Sequence, residues 1–225
     1  MRFLPATVEP YVVAAERGET TGARRPAVRA VVAEYTSGRR LLTGVALWLG
    51  VVAALVVATV GCVAVLATVV GGDPVTTGVL GGLTVAVALA GGCLAALRGR
   101  DLLRAGARLS RAAEAWMTSG PARHPGLGHR VHGLLSALRP ELFARVVLCS
   151  LSGLAAVLAA SAVGFSLSRL GGDAIDVALN ATLGVACAVL AVVCAVPAVA
   201  LWRGSRRVQR GLIHDPAATA YGTAG

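Results

Sequence analysis

Residues 41–70 read LLTGVALWLGVVAALVVATVGCVAVLATVV. No acid, arginine or histidine interrupts these thirty positions. About 20 apolar residues suffice for a helix to cross the bilayer core, and a helix satisfies its own backbone where water is absent. Thirty residues of helix are ~45 Å long at 1.5 Å each, against a core of ~30 Å. The span must therefore tilt, kink or project. Trp48, near its start, sits where interfacial tryptophans sit.

Working outward, three more blocks have the same character: Val75–Leu97, Val146–Ser168 and Val177–Trp202. A buried helix of a soluble protein accounts for one such run, not for four in succession. Composition agrees. The 225 residues are 56% hydrophobic and 14% charged, where a soluble domain carries about 25% charged residues. The sequence predicts an all-α membrane protein with four transmembrane helices arranged as two helical hairpins. A short amphipathic helical segment on the cytoplasmic side joins the hairpins. Both short turns contain Gly-Gly-Asp, at Gly71 and at Gly171. That match hints at a duplication, which would be parallel because both hairpins start on one side.

Charge sets the orientation. All 21 basic residues are arginine, which points to a GC-rich bacterial genome rather than to arginine chemistry. The segment 1–40 has seven arginines against four glutamates, 98–145 has nine against three acids, and 203–225 has four against one. The turn at Asp73 and the turn holding Arg169, Asp173 and Asp176 are each net negative. Basic loops stay in the cytoplasm, so 1–40, 98–145 and 203–225 are all placed there, in a bacterial inner (plasma) membrane. The net charge of +10 is thereby a topological feature before it is a nucleic-acid signal, and no nucleic acid is expected. The first apolar run starts late and is too long for a cleavable signal peptide.

Within 1–40, Val28, Val31, Val32 and Tyr35 fall on one helix face, beside Arg24, Arg25 and Arg29. The reading is a helix lying on the membrane surface, apolar side in the headgroups. The tail, Arg203–Gly225, reads as disordered. Pro197 should kink the last span.

The segment 98–145 carries the candidate contact surface. Arg100, Arg104, Arg108 and Arg111 are spaced 4, 4 and 3, within about 80° of each other around a helix. Leu102, Ala105, Leu109, Ala113 and Trp116 take the other side. The arginines and Trp116 are the expected contacts for anionic lipid headgroups or for a protein partner. A second helix over 127–138 is expected beyond Gly120-Pro121. Gly78, Gly82, Ala86 and Ala90 form a small-residue stripe that suits helix packing. Ser152, Ala156, Ala160, Gly164 and Ser168 form another.

Chemistry is thinly represented. His124, His129 and His132 are close together, but no cysteine or second carboxylate completes a ligand set beside Glu141, so no metal is expected. The five cysteines lie in apolar blocks and read as small buried hydrophobes. Asp176 and Asn180 share a face at the outer end of the last span, as a helix cap or a shallow vestibule. The spans contain no buried charge of the sort ion pathways use. No HExxH, GxSxG or Walker motif occurs, so neither enzyme activity nor a cofactor is expected. The expectation is a non-enzymatic membrane component that assembles with itself or other membrane proteins and presents a basic cytoplasmic surface. The alternative is a small transporter or permease subunit for a neutral or apolar solute.

Overall fold

The computed structural model describes residues 4–20, 22, 24–71, 75–119, 140–169, 171 and 173–214. The described residues are helical, joined by turns. Two short helices come first, α1 (Glu9–Glu16) and α2 (Arg24–Thr36). Four long ones follow: α3 (Gly38–Gly71), α4 (Val75–Thr118), α5 (Pro140–Ser168) and α6 (Ala174–His214). All four are long and apolar enough to cross a membrane. No more than 17% of any of their apolar stretches is covered by protein. Leucines and valines remain exposed along all of them. Surface of that kind requires an apolar surrounding, and the chain is a multi-pass membrane protein by this criterion.

The chain divides into two compact units, one of 1–44, 100–149 and 199–225, the other of 45–99 and 150–198. The first has a conventional hydrophobic core. Val8 just before α1, Val12 of α1, Val28, Val31 and Tyr35 of α2, Leu109, Ala113, Trp116 and Met117 of α4, and Val208 of α6 are all buried in it. The apolar side of α2 is thus covered by protein, which corrects the expectation that it lies in headgroups. α1 ends in a glycine turn that needs a left-handed residue. Gly18 has φ 77°, its N–H donates to Ala15 O, and the Glu19 N–H donates to Ala14 O. These two bonds close the last turn.

In the second unit the contacts are made by small residues. A methyl group on Gly61 would meet Val85 Cγ2 at 2.7 Å and Gly81 O at 2.9 Å. One on Gly92 would lie 3.1 Å from Ala54, and one on Gly78 would lie 3.0 Å from Thr68. As residue numbers rise along α3 they fall along α4, so this pair packs antiparallel. Hydroxyls inside these helices bond to their own backbone: Thr59 to Leu55 O at 2.8 Å, Thr84 to Leu80 O at 2.7 Å and Thr182 to Ala178 O at 2.8 Å. That satisfies them without water.

One boundary differs from the sequence reading. α6 runs through Pro197 and on to His214, so the first part of the expected disordered tail is helix. A proline removes one backbone donor, and here it does not end the helix. The expected helix over 127–138, the histidines 124, 129 and 132, and residues 215–225 lie outside the described residues. Asn180 donates to the carbonyls of Asp176 at 2.8 Å and Arg169 at 3.5 Å, which ties down the start of α6.

Candidate functional site

The last five turns of α4 carry the arginines singled out by spacing. Arg100, Arg104 and Arg111 are exposed, and Arg108 is half-buried. Arg108 is engaged by α1. Its Nε donates to Glu16 Oε1 at 2.8 Å and its Nη2 to Glu16 Oε2 at 2.9 Å. This bidentate fork is the strongest geometry available to an arginine–carboxylate pair. The hydrogen bond from Arg108, and then the charges of Arg108 and Arg111, hold the Glu16 carboxyl below its ordinary pKa, with desolvation opposing them. Arg104 lies 4.0 Å from Asp101. Arg111 Nε donates to Ala107 O at 3.3 Å.

Trp116 does not share that surface. It is 2% exposed, its Nε1 donates to Tyr11 O at 2.9 Å, and its ring meets Tyr11 edge to face at 6.4 Å. Its buried N–H thus has the partner such a group requires. Trp116 is a core residue that fastens α1, and the contact surface expected with it reduces to Arg100, Arg104 and Arg111.

Three further arginines hold the unit together, and sequence spacing pointed to none of them. Arg24 reaches the end of α4, where Nε donates to Trp116 O at 3.0 Å and Nη2 to Met117 O at 2.7 Å. The last carbonyls of a helix lack intrahelical partners and carry partial negative charge, so this side chain caps α4 from 92 residues away. Arg40 donates to Leu102 O at 3.2 Å and lies 3.6 Å from Glu34. Arg145 is 5% exposed, donates through Nη2 to Tyr35 O, and stacks 4.5 Å over the Tyr35 ring. Among the described residues its Nε has no hydrogen-bond partner. As flanks of apolar runs, Arg40 and Arg145 read as topology signals. Their burial depends on contacts with α2 and α4 that sequence does not specify.

The continuation of α6 also belongs here. Gly204, Ser205, Val208 and Gly211 are buried, and Arg207 lies 3.9 Å from Glu114 of α4. A methyl on Gly204 would sit 2.6 Å from the Tyr35 hydroxyl. Arg203, Arg206 and Arg210 point outward and are exposed.

The small-residue stripe is only partly engaged. Gly78 faces Thr68, but Gly82 has nothing within 4 Å, and Gly82, Ala86 and Ala90 are exposed. The face of α4 turned to α3 instead runs through Gly78, Gly81, Val85 and Gly92.

An open hollow of about 400 Å³ over α1 brings Glu9, Arg17 and Glu19 to its edge around Pro10 and Val13. Among the described residues no three histidine, cysteine or acidic side chains gather as metal ligands. The geometry assembled here is that of arginines used as caps, struts and exposed charge. Set against protein-family models, curated proteins and solved structures, the chain has no match.

Proposed function

We propose that the chain is a non-enzymatic integral component of a bacterial inner membrane. It crosses four times as two helical hairpins, with both termini and the basic segment between the hairpins in the cytoplasm. It assembles with itself or with other membrane proteins and presents an arginine-rich cytoplasmic surface to acidic partners and anionic headgroups. One observation carries most of this reading. α4 and α6 continue well past their apolar stretches and contribute to a unit with a closed core, outside which Arg100, Arg104, Arg111, Arg203 and Arg206 stay exposed. A bare membrane anchor has no need of such a folded basic unit.

The test is mild solubilisation of the full chain after cross-linking in cells, followed by mass determination and identification of what co-purifies. Self-assembly or a membrane partner is expected, and its loss is expected when Arg100, Arg104 and Arg111 are changed to Gln while insertion persists. Recovery of a bare monomer counts against the proposal. A reporter fused after Gly225 that proves periplasmic overturns the orientation.

A further inference from the structure

α6 leaves its apolar stretch at Trp202 and continues with two different faces. Gly204 is buried against Tyr35 of α2, Val208 is buried in the core shared with α2 and α4, and Ser205 is buried as well. Trp202, Arg203 and Arg206 face outward, and Trp202 is 52% exposed. The Arg206 guanidinium lies 4.8 Å above the Trp202 ring. Among the described residues, neither Arg203 nor Arg206 has an acidic partner.

We infer that Trp202, Arg203 and Arg206 form a contact for the phosphate of anionic phospholipid headgroups. The inference rests on the membrane reading above. The Trp202 ring covers one side of the Arg206 guanidinium, and the side chain stays exposed, so N–H donors remain for a further partner. Two of them match the spacing of phosphate oxygens. A tryptophan at an apolar boundary puts its ring at headgroup depth. Axial distance agrees. Four residues of helix from Trp202 to Arg206 span about 6 Å, comparable with the ~5–8 Å headgroup layer of one leaflet. The α4 stripe is different, because Arg111 lies about 16 Å along the helix from Arg100, beyond a Debye length in physiological salt. That stripe outreaches a lipid surface, whereas the first turn after Trp202 fits within one. A soluble acidic partner would account for the arginines but not for the exposed tryptophan beneath one of them.

The experiment uses the full chain in phosphatidylcholine vesicles. These contain an equal fraction of either phosphatidylglycerol or phosphatidylcholine brominated near the top of the acyl chain. The Trp202 signal is the difference between the parent and Trp202→Phe. Brominated phosphatidylglycerol is expected to quench it more strongly, reflecting a local excess of roughly fivefold per arginine engaged. The preference should disappear in an Arg203→Gln, Arg206→Gln double variant. Equal quenching by the two lipids in the parent, or a preference that survives the double variant, overturns the headgroup contact. Absence of quenching by both lipids instead removes the membrane placement of Trp202, and with it the reading on which the inference rests.

Discussion

The unit that holds Trp116 buries large side chains, with Leu109, Met117, Val28 and Val31 all but inaccessible around it. The unit that holds Gly61 buries almost none. Among the described residues its buried positions are Ala58, Gly61, Gly81, Ala88, Ser152, Ala159, Ser166, Gly184, Cys194 and Ala198, all small. The first gains stability by removing apolar area from water. The second has no such gain where lipid replaces water, so helices associate through close approach and backbone contact. The same chain therefore answers substitution in opposite ways, with truncation harmful in one unit and enlargement harmful in the other.

The largest effect is expected from Trp116→Ala. It removes the ring, empties the centre of the core, and leaves the Tyr11 carbonyl without its donor. A buried tryptophan truncated to alanine costs about 3–5 kcal/mol, a large share of a typical domain's stability. Limited proteolysis of the solubilised chain should show early cleavage across 4–36, while membrane insertion persists because the apolar stretches are untouched. Protease resistance equal to the parent would break the contrast between the units.

Enlargement should act on the other unit. Gly61→Val places methyls where Gly81 O and the Val85 backbone already stand, and overpacking costs about 1–3 kcal/mol. Gly82→Ala, with open space around it, should change the melting temperature in detergent hardly at all. If both lower it equally, the exposed stripe is itself a contact surface.

A matched pair in α6 sharpens the comparison further. A methyl on Gly204 meets the hydroxyl of Tyr35, a buried ring already pinned beneath Arg145. One on Gly211 meets the Met117 side chain, which is unbranched and adaptable. Gly204→Ala should cost about 1–3 kcal/mol and Gly211→Ala under about 1 kcal/mol, read as loss of helical signal on heating.

These outcomes also mark how far the residues could be read in advance. The four apolar runs were legible because each lacks charge over a bilayer's thickness. The face of α2 was legible too, since Val28, Val31, Val32 and Tyr35 repeat at helical spacing. What covers that face was not, because its partners on α4 lie some 80 residues away. The packing face of α4 was misread for a geometric reason. A strict four-residue repeat advances about 40° per step beyond a full turn, so Gly82, Ala86 and Ala90 drift off the face that Gly78 begins. Alternating steps of three and four, as in Gly78, Gly81, Val85 and Ala88, stay on it. The helical continuation of α6 was hidden because glycine and serine suggest a loose tail, whereas Gly204 is small where Tyr35 of α2 approaches. On the arginine stripe, Arg100, Arg104 and Arg111 are exposed as their spacing suggested. Trp116 and Arg108 were drawn from the expected contact surface into the fold by α1, whose docking nothing local specifies.

The smallest predicted effect concerns that docking. Glu16 and Arg108 are each more than a third exposed, so their pair contributes less than about 1 kcal/mol in spite of its bidentate geometry. Its sign with pH is definite. The folded state lowers the Glu16 pKa, so the unfolded chain binds a proton more readily than the folded one. The contribution is therefore complete above the unfolded carboxyl value of about 4.3 and is lost as pH falls through the lower folded value. Hydrogen exchange of the α1 amides should be unchanged between pH 7 and pH 5 once corrected for intrinsic rates, and should quicken below about pH 4. In Glu16→Gln the small added opening should be present throughout and the acid-dependent part should vanish. Tyr11 and Val12 would still be held by Trp116, so α1 should loosen without leaving the core. Complete release of α1 in that variant would mean that the ion pair, rather than the large buried side chains, holds this unit closed.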